Sequence, residues 1–374
     1  MANKADVIII GGGVIGCAIA YNLAKRGVMP IVIEKEEIGT GASSRNGGGV
    51  RQSARDPREL PLAMHAVKNI WPGLSDELGS DVEYCQGGNL RLGKTDAHVQ
   101  FLTNMVESQK KLGLELEMVD NDGVRELLPY ASKSIIAASW CPTDGHGNPM
   151  LTTLAFYKKA LELGARFFVG EKVREVILQK GKVAGVRTSE DVYEAPVVVN
   201  AAGVGARDVA RSVGLDIPMQ PRLVECLVTD QQPELFPQML GTAGSDFYGH
   251  QSKHGSFVFG GMTGWEPYEF KNYDAVTVSN TAPCCCRAIL DYFPWMERSN
   301  VVRAWSGFLA VVADQVPVMG TAEEVPGFVF ASCFCGHGYG ISPAVGQLVS
   351  ELIVDGTPSI SLDAFRFDRF IPRN

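Results

Sequence analysis

The sequence lacks the features that would mark a membrane, secreted or nucleic-acid-binding protein. No apolar stretch approaches the roughly 20 residues that a membrane-spanning helix needs. The first apolar run, Val7–Ile10, follows Asp6 and ends in glycines, unlike the apolar core of a secretory signal. Acidic residues outnumber basic ones by 42 to 34 and no basic run occurs, which disfavours nucleic acid and anionic membranes as partners. These absences predict a cytoplasmic protein without a transmembrane segment.

Cysteine spacing excludes the common metal sites. The nine cysteines form an odd set with no spacing typical of a secreted disulfide framework. Neither the run at residues 284–286 nor the pair Cys333 and Cys335 has the Cys-x-x-Cys spacing of zinc or iron–sulfur sites. We therefore expect no metal and a reducing compartment, and the role of the run at 284–286 stays open.

What the chain does contain, at its start, is a glycine motif between a strand and a helix. Val7–Ile10 reads as a buried strand, and Gly11-x-Gly13-x-x-Gly16 opens a predicted helix at 14–26. The first glycine permits a tight turn, and the second lets the backbone approach a pyrophosphate. The third allows the helix to pack closely on the strand, with phosphates over the helix N-terminus.

A second strand, Ile31–Glu34, completes a βαβ unit and ends in a carboxylate. Glu34 can accept both ribose hydroxyls of an adenosine and would repel a 2′-phosphate, which argues against NADP. The motif predicts a bound dinucleotide, and by itself it leaves NAD and FAD open.

Three later glycine-rich segments carry a family resemblance. They are Ser-Ser-Arg-Asn-Gly-Gly-Gly-Val-Arg-Gln at 43–52, Asn-Ala-Ala-Gly-Val-Gly-Ala at 200–206 and Gly-His-Gly-Tyr-Gly-Ile-Ser-Pro-Ala at 336–344. With the first motif, they resemble the flavin-binding segments of the D-amino acid oxidase superfamily. The similarity is strongest to the branch of sarcosine oxidase β subunits, glycine oxidase, proline dehydrogenase β subunits, opine oxidases and hydrogen cyanide synthase subunits.

The resemblance implies FAD and an α/β fold: a Rossmann-type FAD-binding domain with a second substrate domain built on a mixed β-sheet. We expect residues 1–80, 141–215 and 315–374 to form the discontinuous FAD-binding domain. Residues 81–140 and 216–314 would form the substrate-binding domain.

The resemblance also implies which residues hold the cofactor. The loop at 44–48 would wrap the pyrophosphate and the isoalloxazine edge, Val173 would hold adenine, and the turn at 338–342 would face the flavin. The expected FAD contacts are Gly11, Gly13, Val14, Ile15, Gly16, Glu34, Lys35, Ser44, Arg45, Asn46, Gly47, Gly48, Val173, Ala202, Gly203, Gly338, Tyr339, Gly340 and Ile341. Some relatives attach FAD to a cysteine in the segment matching 305–307, which has none here, so non-covalent FAD is expected.

A substrate carboxylate needs a cation, and the family's usual arginine is replaced. The stretch Trp-Ser-Gly-Phe-Leu ends in Leu309 where glycine and D-amino acid oxidases have arginine. Arg51, in the loop beside the flavin, is the predicted replacement, since its planar fork suits a carboxylate. A pyrophosphate contact or an exposed ion pair is the alternative role for Arg51.

Other side chains are expected to line the substrate site. Tyr248 and His250 would share one face of a strand, and Met262 stands where a relative has a site histidine. We predict Arg51, Tyr248, His250, Met262 and Trp305 as substrate-binding residues, and Arg51, Tyr248 and His337 as catalytic residues.

The implied reaction is hydride transfer from the carbon beside a neutral amine nitrogen to flavin N5, giving an imine that hydrolyses. The substrate would be a small primary or secondary amino acid of the sarcosine, glycine, proline, hydroxyproline or opine type. In sarcosine oxidases a lysine over the flavin promotes reaction with oxygen, and Val258 takes its place here, which favours a dehydrogenase. Either O₂ or a partner electron-transfer subunit remains open as the acceptor, as does a homo- or hetero-oligomer.

Three alternatives stay beside this interpretation. The first is an NAD-dependent dehydrogenase, which would leave the later flavin segments unexplained. A flavoprotein subunit of a larger electron-transferring complex is the second. The third is an FAD-binding structural protein without catalytic activity.

Overall fold

A computed structural model describes residues 3–261 and 281–371. In chain order its strands are β1 (Val7–Ile10), β2 (Ile31–Glu34), β3 (Gly49–Val50), β4 (Asn89–Gly93), β5 (Glu117–Asp120), β6 (Ala137–Cys141), β7 (Gly145–His146), β8 (Arg166–Val169), β9 (Val173–Gln179), β10 (Lys182–Thr188), β11 (Val192–Glu194), β12 (Val197–Asn200), β13 (Met219–Gln231), β14 (Met239–Thr242), β15 (Tyr248–Gln251), β16 (Ser256–Gly261), β17 (Val301–Val312), β18 (Val318–Thr321) and β19 (Phe328–Ser332). Its helices are α1 (Val14–Lys25), α2 (Leu60–His65), α3 (Leu74–Leu78), α4 (Asp96–Lys110), α5 (Asn121–Leu127), α6 (Pro149–Glu162), α7 (Ala206–Arg211), α8 (Thr281–Tyr292) and α9 (Gly338–Asp355). Within the described ranges, no helix is long and apolar enough to cross a membrane.

A six-stranded sheet carries the dinucleotide motif. Its order is β18-β19-β12-β1-β2-β8, and neighbours run parallel except β18 beside β19. Ile9 and Val32 pack into the core that includes α1, α6 and α9, whereas Ile8 and Ile33 face the core shared with the three-stranded sheet β9–β11. Burial on both faces explains why these strands read as continuous apolar runs.

A separate eight-stranded sheet has the order β17-β13-β16-β15-β14-β4-β6-β5. Its pairs are antiparallel except β14 with β4, which makes the sheet mixed. On one face, Leu90, Phe257 and Phe259 pack with Cys285 and Ile289 of α8. The predicted fold class, a Rossmann-type sheet with a second mixed sheet, is confirmed. The domain boundaries stay a prediction.

The last helix begins earlier than the sequence suggested. The sequence predicts a glycine-rich turn at 336–340 and then a final helix from about Pro343 to Ile353. Instead α9 begins at Gly338 and carries Pro343 inside it. The hydroxyl of Ser342 donates to the carbonyl of Tyr339 at 2.8 Å, which gives that oxygen the donor that proline cannot supply.

Candidate active site

A cavity of about 1550 Å³ lies between the carboxyl ends of β1, β2 and β12 and the eight-stranded sheet. Ligands of open α/β sheets bind at this edge. The predicted site residues that line the cavity are Gly11, Gly13, Val14, Ile15, Glu34, Lys35, Arg45, Asn46, Gly47, Arg51, Val173, Ala202, Gly203, Tyr248, His337, Gly338 and Tyr339.

The first turn of α1 opens on this cavity. Gly11 has a φ of +111°, and a Cβ there would lie 2.5 Å from the carbonyl oxygen of Ala201. A Cβ on Gly16 would lie 1.9 Å from the carbonyl oxygen of Gly11, so both positions require glycine. The N–H groups of Gly13 and Ile15 have no acceptor within the described part of the chain. Free N–H donors at a helix N-terminus suit a phosphate.

Glu34 stands at the end of β2 and lines the same part of the cavity. One carboxylate oxygen accepts the N–H of Gly12 at 2.7 Å, and the other accepts the N–H of Glu36 at 2.9 Å. These bonds fix the side chain, and each oxygen keeps a further lone pair. The carboxylate can therefore also accept ribose hydroxyls.

The glycine-rich loop after residue 42 lines the cavity and contacts the eight-stranded sheet. Asn46 accepts the N–H of Gly48 through Oδ1 at 2.9 Å, which holds the loop in a turn. Gly47 lies directly against Tyr248, because a Cβ on Gly47 would stand 2.5 Å from Cε2 of that ring. A residue expected to hold the cofactor is thus in contact with one expected to hold substrate.

One row of paired residues crosses the wall formed by the eight-stranded sheet. Arg91 of β4 pairs with Gly241 of β14, which pairs with Tyr248 of β15. Residues paired in this way project from the same face of a sheet. The Tyr248 hydroxyl lies 3.6 Å from Sγ of Cys226. A Cβ on Gly241 would meet no described atom within 4 Å, so open space separates Tyr248 from Arg91.

Arg51 enters the cavity from the loop after β3. Its side chain is half-buried, and Nη1 donates to the carbonyl of Ser53 at 3.4 Å. The nearby carboxylate of Asp144 is fully buried and accepts the N–H of Gln52 at 2.7 Å and the hydroxyl of Ser53 at 2.5 Å. Asp144 thus orders the Arg51 loop through neighbouring backbone.

Positive charges are crowded around Arg51, because the guanidinium groups of Arg55 and Arg91 are close enough to affect its pKa. Burial lowers the pKa of Arg51 to about 10, and the positive charges of Arg91 and Arg55 add to that shift. Asp144 and Tyr248 act in the opposite direction. Burial also lowers the pKa of Arg91, against the attraction of Asp144. Both arginines remain cationic at neutral pH, and an anionic ligand would relieve their repulsion.

His337 precedes α9 and lies over a buried ion pair. Its Nδ1 is 3.3 Å from Oε2 of Glu59, which Arg55 approaches to 3.4 Å. Burial lowers the pKa of His337, although Glu59 opposes the shift, so the imidazole is neutral at pH 7. Arg55 also donates to the backbone carbonyls of His337 at 3.0 Å and Arg51 at 3.1 Å. One buried side chain therefore ties together the two loops that carry candidate catalytic residues.

Several predicted site residues do not line the cavity: Gly16, Ser44, Gly48, Gly340, Ile341, His250 and Trp305. His250 is buried and stacks on His146 with ring centroids 4.0 Å apart. Trp305 donates through Nε1 to the carbonyl of Arg45 at 3.3 Å, so it supports the loop from behind. Met262 lies outside the described residues.

Sequence reasoning missed Arg91, Gly241, Glu59 and Asp144. The stretch Asn-Leu-Arg-Leu-Gly at 89–93 does alternate with the period of a strand, and its arginine is on the face opposite the two leucines. That signal could have marked Arg91 as a polar residue on a sheet wall. Nothing in the local sequence marks Glu59 or Asp144, because their partners come from distant segments.

The fold and the cavity define a dinucleotide-binding oxidoreductase in which a second sheet covers the nucleotide site. The chain belongs to the family described as FAD dependent oxidoreductase, whose model matches residues 6–352. The predicted superfamily is confirmed, and so is FAD in preference to NAD. The structure fits this cofactor, since the free N–H groups at α1, the fixed carboxylate on β2 and Gly11, which must be glycine, line one cavity.

Known relatives cover nearly the whole chain. The sarcosine oxidase subunit beta of Rhizobium meliloti is 27% identical over 98% of this chain and 88% of its own length. The glycine oxidase of Bacillus licheniformis is 26% identical over 99% of this chain and 98% of its own length. The crystal structure of L-proline dehydrogenase from P. horikoshii superposes with a TM-score of 0.92, at 30% identity and 98% coverage of each chain.

Proposed function

We propose that this enzyme oxidises the CH–NH or CH–NH₂ group of a small amino acid to an imine, which water then hydrolyses. The observation that carries the proposal is Arg51, a guanidinium in the cavity beside Tyr248 with no carboxylate within 4.0 Å in the described ranges. Its free donors suit a substrate carboxylate. The three relatives described above are named for sarcosine, glycine and proline, which supports an amino acid substrate. FAD, when bound, accepts the electrons and the hydrogen that the substrate carbon loses.

In this proposal each cavity residue has a defined task. Arg51 binds the carboxylate and so fixes the orientation of the substrate, and the Tyr248 ring limits how far the substrate can move along the sheet. His337 is the neutral imidazole that can take a proton from the incoming ammonium group, while Glu59 stabilises the imidazolium formed. The amine nitrogen then keeps the lone pair that the oxidation needs.

We also propose that FAD is bound without a covalent link. Among the residues that the structure describes, the thiols of Cys333 and Cys335 line the cavity, and burial raises their pKa to about 12 and about 11. Little thiolate is therefore present at neutral pH, and the thiolate is the nucleophile in such attachments. Acid precipitation of the protein should leave the yellow colour in the supernatant.

A second form of this function is a subunit that passes electrons to a partner. It is supported by the relative named a subunit beta. The sequence resemblance also implies that Val258 replaces the lysine of sarcosine oxidases, although Val258 does not line the cavity. The acceptor can be tested by reducing the flavin anaerobically with substrate and then adding air. Rapid return of the colour with peroxide would identify an oxidase. Return only with an artificial acceptor would support a dehydrogenase with a partner subunit.

The proposed substrate role of Arg51 is tested with Arg51→Ala. A panel of small primary and secondary amino acids is mixed anaerobically with the holoenzyme while the visible flavin band is followed. Loss of a charge-assisted bond predicts a KM about 10- to 100-fold higher with unchanged FAD content. Arg298→Ala, at an exposed arginine away from the cavity, serves as the control. Loss of FAD from Arg51→Ala would instead show that Arg51 binds the cofactor. If no amino acid in the panel bleaches the flavin band of the wild-type holoenzyme, the proposed function is refuted.

A further inference from the structure

Two arginines at the substrate end of the cavity keep most of their hydrogen-bond donors unused. Nη1 of Arg91 approaches the carbonyl of Thr242 at 3.5 Å, and Nη1 of Arg51 approaches that of Ser53 at 3.4 Å. Across residues 3–261 and 281–371, neither guanidinium has a carboxylate within 4.0 Å. Each guanidinium has five N–H donors, whereas one carboxylate offers about four acceptor positions. A single substrate carboxylate therefore cannot satisfy both side chains.

The charges around these arginines also indicate that more than one ligand carboxylate is needed. Asp144 acts on both Arg51 and Arg91, but its oxygens are already bonded to Gln52 and Ser53. The neighbouring cation Arg55 is balanced by Glu59, so the cluster of Arg51, Arg91 and Asp144 has one net positive charge. A substrate with one carboxylate can bond to Arg51 and leaves the charge of Arg91 without a bonded counter-ion. A second carboxylate supplies that counter-ion.

The shape of the wall leaves a place for each carboxylate. Arg91 projects from the sheet beside Gly241, where the missing side chain leaves open space towards Tyr248. Arg51 comes from the opposite loop and folds over Gly49, whose Cβ position is 3.6 Å from Nε of Arg51. The two guanidinium groups thus approach the cavity from two separate elements.

We propose that the substrate is an amino dicarboxylic acid, with one carboxylate bound by Arg51 and the second bound by Arg91 above Gly241. This inference rests on the proposed amino acid oxidation and names its substrate class. Arg91 is then the residue that determines specificity, because it has no task towards a substrate with a single carboxylate.

The test compares ligands that have no CH–NH bond to oxidise. (Methylthio)acetate offers one carboxylate. Three thioethers in which carboxymethyl, carboxyethyl or carboxypropyl replaces the methyl group offer two. Calorimetric titration of the holoenzyme should show at least one dicarboxylate binding about 10- to 100-fold more tightly than (methylthio)acetate.

Substitutions then assign the difference to Arg91. Arg91→Leu should abolish the margin and leave the affinity for (methylthio)acetate unchanged. Arg91→Lys, which keeps the charge without the planar fork, should retain part of it. Arg298→Leu should retain all of it. FAD content and circular dichroism, measured on each variant, report whether the fold and cofactor site are intact.

Three results would overturn the inference. The first is a wild-type enzyme that binds no dicarboxylate more tightly than (methylthio)acetate. The second is an equal loss of affinity for both ligand types in Arg91→Leu or Arg91→Lys, which would mean that both arginines hold one carboxylate. The third is loss of FAD from both variants. Failure of every amino acid to reduce the flavin, with the dicarboxylate margin intact, would refute the proposed function and leave this anion site standing.

Discussion

Acid should weaken the fold through a stacked pair of buried histidines. The rings of His146 and His250 lie 4.0 Å apart at an angle of 23°, and both residues are buried. Burial lowers the pKa of His146 to about 4, and it lowers the pKa of His250 well below its ordinary value, with the charge of His146 adding to the shift. His250 also lies against Gly48, since a Cβ there would be 3.2 Å from its Cε1. Protonation of this pair therefore strains the core beside the glycine-rich loop.

The size of the effect follows from the shift of His146. An unfolded chain holds a histidine pKa near 6.5, so it binds the proton more tightly than the folded protein does. The contribution of neutral His146 to stability is complete above the unfolded-state pKa of about 6.5 and is lost as the pH falls towards the folded-state pKa of about 4. Between pH 7 and pH 5, His146 alone should lower the free energy of unfolding by about 2 kcal/mol.

Urea unfolding at pH 7 and pH 5, followed by tryptophan fluorescence, measures this loss. His146→Phe keeps an aromatic ring in the stack but cannot be protonated, so its stability should fall by about 2 kcal/mol less than that of the wild type. His254→Gln, at an exposed histidine, should behave like the wild type. Equal losses in wild type and His146→Phe would refute the reasoning.

Two further substitutions test the cofactor turn and the buried ion pair. Gly16→Ala would place a Cβ 1.9 Å from the carbonyl oxygen of Gly11, so the purified variant should lack FAD. The control Gly73→Ala, whose Cβ would meet no described atom within 4 Å, should keep FAD. Equal flavin content in the two variants would contradict this prediction. Glu59→Gln leaves the buried guanidinium of Arg55 without its carboxylate and should lower the free energy of unfolding by about 3 to 5 kcal/mol in urea at pH 7, and a negligible loss would count against the ion pair.

The βαβ unit could be predicted from the sequence because its contacts are local. β1, α1 and β2 follow one another directly, and the spacing of Gly11 and Gly16 already implies close packing between them. The predicted bounds of both strands agree with the structure, and the helix was placed one residue too long. Patterns of this kind need no information from the rest of the chain.

The substrate wall could not be predicted in the same way. Arg91 meets Gly241 and Tyr248 only because β4 pairs with β14, which comes about 150 residues later in the chain. The start of α9 was predicted too late for a related reason, because the hydrogen bond from Ser342 to the Tyr339 carbonyl, which lets Pro343 lie inside the helix, is not visible in the sequence. Pairing between strands that are far apart in the sequence, and a side-chain hydrogen bond to a backbone carbonyl, are both set by the folded chain and not by a local sequence pattern.

The alternation of residues along β4 separates two properties that are often linked in enzymes: stability of the core and choice of substrate. Leu90 and Leu92 belong to the apolar core, while Arg91 between them and its partner Gly241 form the cavity wall. Wall positions can thus vary while the buried leucines stay the same. Substitutions at wall positions, whether natural or engineered, can therefore change which substrate binds with little effect on the stability of the fold.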